Sequence, residues 1–261
     1  MSFTRSASAL HSIHKFFGVD IVVYCEGGDS LSFANAVKHE RLNGTLDTFY
    51  WRSVAQILDT GKIYHFKSIG GKDTINRIAE EVDRLSLRNI SVCRDSDYDR
   101  ARGIHPNSTR VAWTEGYSWE NDVSRIQILE KLAINLMGAG DDCDSVIAKM
   151  KRKISEFEKE LCKWVEVDVS FISRGRGGFF DREKPLSAID MTCPPKLRLS
   201  ALSQKLTSAG YHRKPRKVLS VLKEDVITKC FGKLISKTLY QVFISCIRGF
   251  INSKIDYDLF M

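Results

Sequence analysis

Five acidic residues lie at points where short apolar runs of the chain end. They are Glu26, Asp95, Asp97, Asp99 and Glu120. Carboxylates that converge repel one another, so such a group recruits a hard cation, and Mg²⁺ takes one or two carboxylates together with substrate phosphate oxygens. A cation of this kind orients a phosphodiester and lowers the pKa of an attacking water. The pattern predicts a Mg²⁺ (or Mn²⁺) site that hydrolyses phosphodiesters, with Glu26, Asp95 and Asp97 as its central residues.

A glycine turn adds a candidate phosphate contact to these acids. Gly70 and Gly71 precede Lys72. Backbone N–H groups at such a turn, together with a lysine, can hold a phosphate. The Asp-x-Asp-x-Asp run at 95–99 also has the spacing of a calcium loop, but its sixth position is Arg100 and its twelfth is Pro106. A calcium loop needs glycine and a bidentate glutamate there, so this alternative is excluded.

The elements that must position these residues alternate between strands and helices. The short apolar runs predict four strands, at residues 19–25, 62–66, 89–93 and 109–114. A first helix is predicted at 32–42, and a second begins after Asp73, which is expected to cap it. A third helix follows the fourth strand and the run to Asn121, and it continues through residue 136. The alternation predicts an α/β fold with a mainly parallel sheet flanked by helices, and ligands of such sheets bind at the carboxyl ends of the strands.

The second part of the chain is basic and mostly helical. Residues 141–261 hold 23 basic and 15 acidic residues, whereas residues 1–140 hold 17 of each. We predict a helix at 144–164, one further strand at 165–171 from its period of two, and helices beyond. This change in charge and pattern predicts two domains. Residues 1–140 form the catalytic domain, and residues 141–261 form a region that contacts RNA, a second copy of the chain or a partner. Four residues, here named the basic cluster, are the candidates for nucleic-acid binding: Arg213, Lys214, Arg216 and Lys217.

Composition excludes several classes of protein. The 261 residues can bury a core, and the longest uncharged stretch near the C-terminus has ten residues, against the ~20 that span a bilayer. The N-terminal residues have no export signal, so we expect a cytoplasmic protein without membrane contact. Seven scattered cysteines without a C-x-x-C pair argue against disulfides, a zinc site and a catalytic thiol. No Walker A motif occurs, so any ATP dependence comes from a partner.

Two segments resemble a known family. Tyr24-Cys25-Glu26-Gly27 and Val92-Cys93-Arg94-Asp95-Ser96-Asp97 resemble the Toprim domain of topoisomerases, primases and nucleases. The glycine turn before Lys72 and the run 117–121 (Tyr-Ser-Trp-Glu-Asn) resemble the Toprim-like branch found beside ABC-type ATPases, including the OLD-family systems. Length, motif order and the basic C-terminal part resemble the nuclease effectors of the PARIS anti-phage defence system. The motif resemblance covers about residues 19–125.

The resemblance implies a specific function. It implies a toxin that is held by an ABC-type ATPase, released when a phage anti-restriction protein is sensed, and active as a homodimer that cuts host tRNA. Glu26 would be the general base or a metal ligand, Asp95 and Asp97 the metal pair, and Asp99 and Glu120 auxiliary ligands. The phosphate contact predicted for Lys72 is inferred from its glycine turn and not from the family resemblance. The residues leave RNA and DNA open as substrates, so a DNA-nicking nuclease and a catalytically idle nucleic-acid-binding or regulatory subunit stay as alternatives. A topoisomerase or primase is less favoured, since the chain lacks space for a strand-passage domain and lacks a zinc module.

Overall fold

The chain divides into two compact units. The structure, a computed structural model, describes residues 10–28, 45–105, 108–190, 192, 195–210, 226–250, 255 and 257–261. The first unit, the sheet unit, comprises residues 1–96 and 103–115, and the second, the helical unit, comprises residues 97–102 and 116–261.

The division falls at other points than the predicted boundary after residue 140, because two earlier segments pack within the helical unit. Tyr98 and Leu129 are both buried in the core cluster that also contains Met150. The backbone N–H of Tyr117 donates to the carbonyl of Thr228 at 2.8 Å. Long-range contacts of this kind leave no local trace in composition.

The sheet unit contains a four-stranded parallel sheet with the strand order β2-β1-β3-β4. Its strands are β1 (Ile21–Cys25), β2 (Tyr64–Ser68), β3 (Ile90–Arg94) and β4 (Val111–Trp113). Each overlaps one of the four predicted strands, so the predicted α/β fold with a mainly parallel sheet is confirmed, and it is consistent with a Toprim-like fold. β-branched and aromatic residues fill β1, which is buried along its whole length, as a strand covered on both faces requires.

Helices cover both faces of this sheet. They are α1 (Ile13–Phe17), α2 (Leu46–Leu58) and α3 (Lys72–Arg84). Alternate residues of β1 point to opposite faces: Val22 and Tyr24 pack with Ile13 of α1 and Ile78 of α3. The intervening residues of β1, including Val23, join a second cluster with Trp51 of α2.

One helix start in this unit differs from the sequence prediction, and one helix was not predicted. Gly71 is the N-cap of α3, and Asp73 lies in its first turn instead of capping it. The helix described between β1 and β2 is α2, which begins after Thr45, whose side chain accepts a hydrogen bond from Thr48 N at 3.3 Å. The helix predicted at 32–42 lies outside the described residues.

The helical unit is built around one long helix. Its helices are α4 (Trp119–Val123), α5 (Ile126–Met137), α6 (Asp141–Ser173), α7 (Leu199–Ser208), α8 (Val226–Lys229), α9 (Gly232–Ile247) and α10 (Tyr257–Phe260). A short antiparallel pair, β5 (Ile189–Asp190) and β6 (Lys196–Leu197), accompanies them. The mostly helical C-terminal part is therefore confirmed. No helix within the described ranges has the length and apolar composition needed to cross a membrane.

The strand predicted at 165–171 was wrong, because α6 continues through it for a total of 33 residues. All residues from Val165 to Val169 are buried, including Glu166 and Asp168. A helix covered on every side needs no single apolar stripe, so its sequence can alternate with a period of two. Asp168 is accommodated there by the hydroxyl of Tyr98 at 2.7 Å and by Arg182 at 2.7 Å.

The predicted single helix through residue 136 is two helices. Ser124 ends α4 with φ −88° and ψ 24°, and Arg125 has extended backbone with φ −75° and ψ 144° before α5 begins. The interruption turns the chain by breaking the helical hydrogen-bond series at these two residues.

Candidate active site

The acids Glu26 and Asp95 follow neighbouring strands at the point where the sheet order reverses. The chain passes from β1 to β2 on one side and then returns to place β3 on the other side of β1. In open α/β sheets, ligands bind outside the carboxyl ends of the strands at this switch point. The two acids can converge only if β1 and β3 are neighbours, and the register of these strands pairs Cys25 with Cys93, the residues that precede Glu26 and Arg94.

Backbone hydrogen bonds hold these two acids together. The N–H of Glu26 donates to the carbonyl of Cys93 at 2.9 Å. The N–H of Asp95 donates to the carboxylate of Glu26 (Oε2) at 3.2 Å. Both side chains are half-buried. The arrangement fixes the Glu26 carboxylate against the start of the Asp95 loop while leaving both acids accessible.

The glycine turn before Lys72 lies beside the Glu26 turn. Gly27 donates its N–H to the carbonyl of Gly70 at 2.8 Å, and both glycines have positive φ, 125° and 52°. Lys72 is the first residue of α3, directly after the N-cap Gly71, where a side chain on Gly71 would meet open space. A helix start with this access suits an anionic group such as a phosphate.

Asp47 is an acidic neighbour that the sequence analysis missed. Its carboxylate atoms lie 2.6 to 2.9 Å from the point where a Cβ on Gly27 would stand. The residue belongs to the first turn of α2, where an acid is favoured by the helix dipole. Thr45 followed by Asp47 is a recognisable helix start, which the sequence analysis did not use.

Ser68, the last residue of β2, was missed as well. It is 0% exposed, and its hydroxyl has no hydrogen-bond partner within the described residues. Its Oγ lies 3.5 Å from the point where a Cβ on Gly28 would stand. A buried hydroxyl beside the glycines that follow Glu26 adds a polar group to this edge of the sheet, and the sequence carried no signal for it.

A cation and two thiols lie next to the acids. The Arg94 guanidinium stacks over the Trp113 ring at 4.2 Å and donates to Oδ1 of Asn76. Burial raises the pKa of the Cys25 thiol, and its hydrogen bond with Cys93 raises the pKa further. The Cys25 thiol therefore stays neutral, in agreement with its interpretation as a small buried hydrophobe.

The remaining Asp residues of the motif lie in the helical unit. Asp97 has φ 47° and donates its N–H to the carbonyl of Tyr117 at 2.6 Å. Tyr98 is buried, and its hydroxyl donates to Asp168. Asp99 is 5% exposed, with Arg102 at 3.8 Å from its carboxylate. Asp97 is half-buried, whereas Asp99 is enclosed beside a cation, which is typical of a structural carboxylate.

Glu120 and its neighbours join the start of α4 to that of α9. Ser118 and Asn121 form a reciprocal capping box, and Asn121 also donates from Nδ2 to the carbonyl oxygens of Ile227 (2.5 Å) and Cys230 (2.9 Å). The Glu120 carboxylate (Oε2) lies 3.1 Å from the point where a Cβ on Gly232 would stand. The run 117–121, which contains the predicted auxiliary ligand Glu120, therefore has a structural role.

The candidate residues thus fall into two groups. Glu26, Asp95 and the Lys72 turn converge in the sheet unit, while Asp97, Asp99 and Glu120 belong to the helical unit. The basic cluster lies outside the described residues.

The donor set of the sheet unit fits a hard divalent cation. Across the described ranges, no group of three or more His, Cys, Asp and Glu side chains is arranged to hold a metal ion. Mg²⁺ needs only one or two protein carboxylates when phosphate oxygens and water complete its shell. Glu26 and Asp95 supply such a pair, and the Ser68 hydroxyl adds a neutral oxygen close to the same turn.

No model of a known protein family matches the chain, and a search among curated proteins finds no match.

Proposed function

We propose that the protein is a metal-dependent phosphodiesterase that cleaves RNA at the carboxyl edge of its parallel sheet. The observation that carries this proposal is the contact between Glu26 and Asp95 at the switch point of the sheet, where Asp95 N–H donates to the Glu26 carboxylate. Two acids held by backbone bonds and left accessible are what hydrolytic phosphodiester chemistry with Mg²⁺ or Mn²⁺ requires.

Each residue of this edge has a role in the proposed reaction. A bound divalent cation supplies charge neutralisation of the scissile phosphate and activation of the attacking water. Glu26 acts as the general base or as a ligand, and its carboxylate orientation is fixed by the Asp95 N–H. Asp95 is the second ligand in the sheet unit, and the Toprim resemblance implies a metal-ligand role for Asp97 as well. Lys72 and the N–H groups at the start of α3 contact a substrate phosphate.

The resemblance to the nuclease effectors of the PARIS system supplies the biological part of the proposal. On that basis the substrate is host tRNA, and the protein is a cytoplasmic toxin that an ABC-type ATPase holds until a phage anti-restriction protein is sensed. The active form is a homodimer. The basic cluster contributes to RNA binding by neutralising backbone phosphates.

The proposal is tested by comparing one isosteric pair of variants. Glu26→Gln removes the central carboxylate, and Glu80→Gln makes the same change on an exposed position of α3. Each variant and the wild type are expressed without a partner, growth is followed, and the ends of small RNAs are sequenced. The purified proteins are then incubated with total tRNA and Mg²⁺, with Mn²⁺, and with EDTA.

Growth arrest and discrete tRNA breaks are expected with the wild type and Glu80→Gln, and neither with Glu26→Gln or in EDTA. Nicking of plasmid DNA by the wild type with intact tRNA would replace RNA by DNA as the substrate. If the wild type cleaves neither substrate, and if Glu26→Gln binds nucleic acid as the wild type does, the proposed enzymatic activity would be refuted. This result would favour the catalytically idle binding module.

A further inference from the structure

The helical unit contains a cavity that the proposed reaction does not use. Its volume is about 330 Å³, in the lower part of the range for small-molecule sites. It lies where α4 ends and α5 begins, and α6, α8 and α9 provide its other walls. The lining residues are Ser124, Arg125, Ile126, Gln127, Lys151, Ile154, Ser155, Glu158, Ile227, Thr228 and Leu239.

A buried hydroxyl in this cavity has no partner in the described part of the chain. Ser124 is 1% exposed, and its Oγ makes no hydrogen bond there. Buried polar groups are nearly always hydrogen-bonded, since an unsatisfied one loses its hydration without compensation. Because Ser124 lines the cavity, a polar group of a ligand can satisfy it.

The start of α5 provides donors at the same place. This helix has 12 residues, its N-cap is Arg125, and no side chain among the described residues caps it. The N–H groups of Ile126 and Gln127 therefore have no acceptor within the helix, and the helix dipole adds partial positive charge. An anionic group with several oxygens, such as a phosphoryl group, matches these donors and the Ser124 hydroxyl together.

The remaining walls suit a ring that carries an amino group. Ile154, Ile227 and Leu239 form an apolar wall, and the Glu158 carboxylate can accept from an amino group. The cations at the rim do not make a simple basic patch, because Lys151 lies 2.7 Å from Glu130 and Arg125 lies 3.5 Å from Asp122. Opposite charges and an apolar wall in one small cavity favour a ligand with distinct anionic, apolar and amino parts.

We propose that this cavity binds a nucleotide, with its phosphoryl group at the start of α5 and its base against the apolar wall. The nucleotide is either a free mononucleotide or the 5′-terminal nucleotide of an RNA, since both present the same chemistry. The site is independent of the Glu26 reaction.

The test compares two site variants with one control. Ser124→Ala removes the unsatisfied hydroxyl. Gln127→Glu places a negative charge in the first turn of α5, where it stabilises the helix but repels a phosphate. Gln204→Glu makes the same change on the exposed surface of α7. Binding of AMP, IMP, adenosine and inorganic phosphate is measured by calorimetry, and the thermal stability of each variant is recorded.

We expect saturable AMP binding by the wild type and Gln204→Glu, and binding about tenfold weaker in Ser124→Ala and Gln127→Glu. Adenosine should bind at least about tenfold more weakly than AMP because it lacks the charged group, and IMP more weakly because it lacks the amino group. Ser124→Ala should fold at least as stably as the wild type, since it removes an unsatisfied buried group.

A second arm distinguishes the two sources of the nucleotide. In a Glu26→Gln background, which prevents cleavage by the proposed site, 5′-phosphorylated and 5′-hydroxyl oligoribonucleotides are compared. An RNA end is supported as the ligand if the protein binds the 5′-phosphorylated oligoribonucleotide more tightly than the 5′-hydroxyl one, loses this preference in Ser124→Ala, and does not bind AMP. If no probe binds, or if both site variants bind as the wild type does, the proposal is overturned.

Discussion

Replacement of Gly232 by alanine should destabilise the helical unit far more than a glycine in a helix normally allows. A Cβ at this position would overlap Ser118 Oγ and stand 2.7 Å from Oδ1 of Asn121. Neither side chain can move away without losing hydrogen bonds. Ser118 Oγ donates to Oδ1 of Asn121, and Asn121 donates to the carbonyl oxygens of Ile227 and Cys230. The new methyl group must therefore break hydrogen bonds that hold the run 117–121 to the backbone of residues 227–230.

The expected cost follows from these contacts. Loss of two or three buried hydrogen bonds costs about 2 to 3 kcal/mol, and overpacking adds about 1 to 3 kcal/mol. The better helix propensity of alanine returns at most about 1 kcal/mol. The net loss in the free energy of unfolding is therefore about 2 to 6 kcal/mol. It is measured by urea unfolding with intrinsic fluorescence, for which the buried Trp119 is a local probe.

Two further variants decide whether the contact causes the loss. Gly249 lies just beyond the other end of α9, where a Cβ meets nothing within 4 Å, so Gly249→Ala should stay within about 0.5 kcal/mol of the wild type. Ser118→Ala removes the closest atom at a cost of about 1 kcal/mol. The double variant should then lose less than the sum of the single losses. Additive losses, or a Gly232→Ala protein as stable as Gly249→Ala, would refute the reasoning.

Three other predictions concern charge. Arg182→Met leaves the buried Asp168 without its ionic partner, so urea unfolding should show a loss of about 3 to 5 kcal/mol; a loss below 1 kcal/mol would contradict the importance of this pair. Burial, and then the charge of Asp97, raise the pKa of Tyr117 above its usual value, so the neutral phenol stabilises the folded state below about pH 10 and this stabilisation is lost at higher pH. The free energy of unfolding should therefore fall less between about pH 8 and pH 11 in Tyr117→Phe than in the wild type. An equal fall in the two proteins would be inconsistent with the raised pKa. Neutralising the basic cluster should reduce the slope of log K against log salt for RNA binding by up to about 3, and an unchanged slope would place the RNA surface elsewhere.

The strands of the sheet unit were predictable because their signal is local. A buried parallel strand must be apolar along its length, and the β-branched run from Ile21 to Val23 has few other stable placements. Glu26 and Asp95 were found through these strands, since each stands directly after one. The neighbouring position of β1 and β3 then followed the expected topology of an α/β sheet.

Other features of the candidate site have no local signal. Asp47 and Ser68 reach the Glu26 turn through the packing of α2 and the end of β2, which a pattern of residue types does not encode. The run from Val165 to Val169 alternates as a strand would, yet it is a helix because its polar residues are buried with partners elsewhere in the unit. A period of two in polar and apolar residues predicts a strand only when one face is exposed to solvent, and residues 165–169 are buried on all sides.

The anchoring of Tyr98 by Asp168 has a consequence for the order of assembly. The two residues are 70 positions apart, and every strand of the sheet unit precedes Asp168 in the chain. During synthesis, the sheet with Glu26 and Asp95 can therefore form while the hydroxyl of Tyr98 still awaits its acceptor. Tyr98, which lies between Asp97 and Asp99, gains its hydrogen bond only after residue 168 of α6 has been synthesised. The anchor of the acidic loop is thus added late, after the whole sheet has been synthesised.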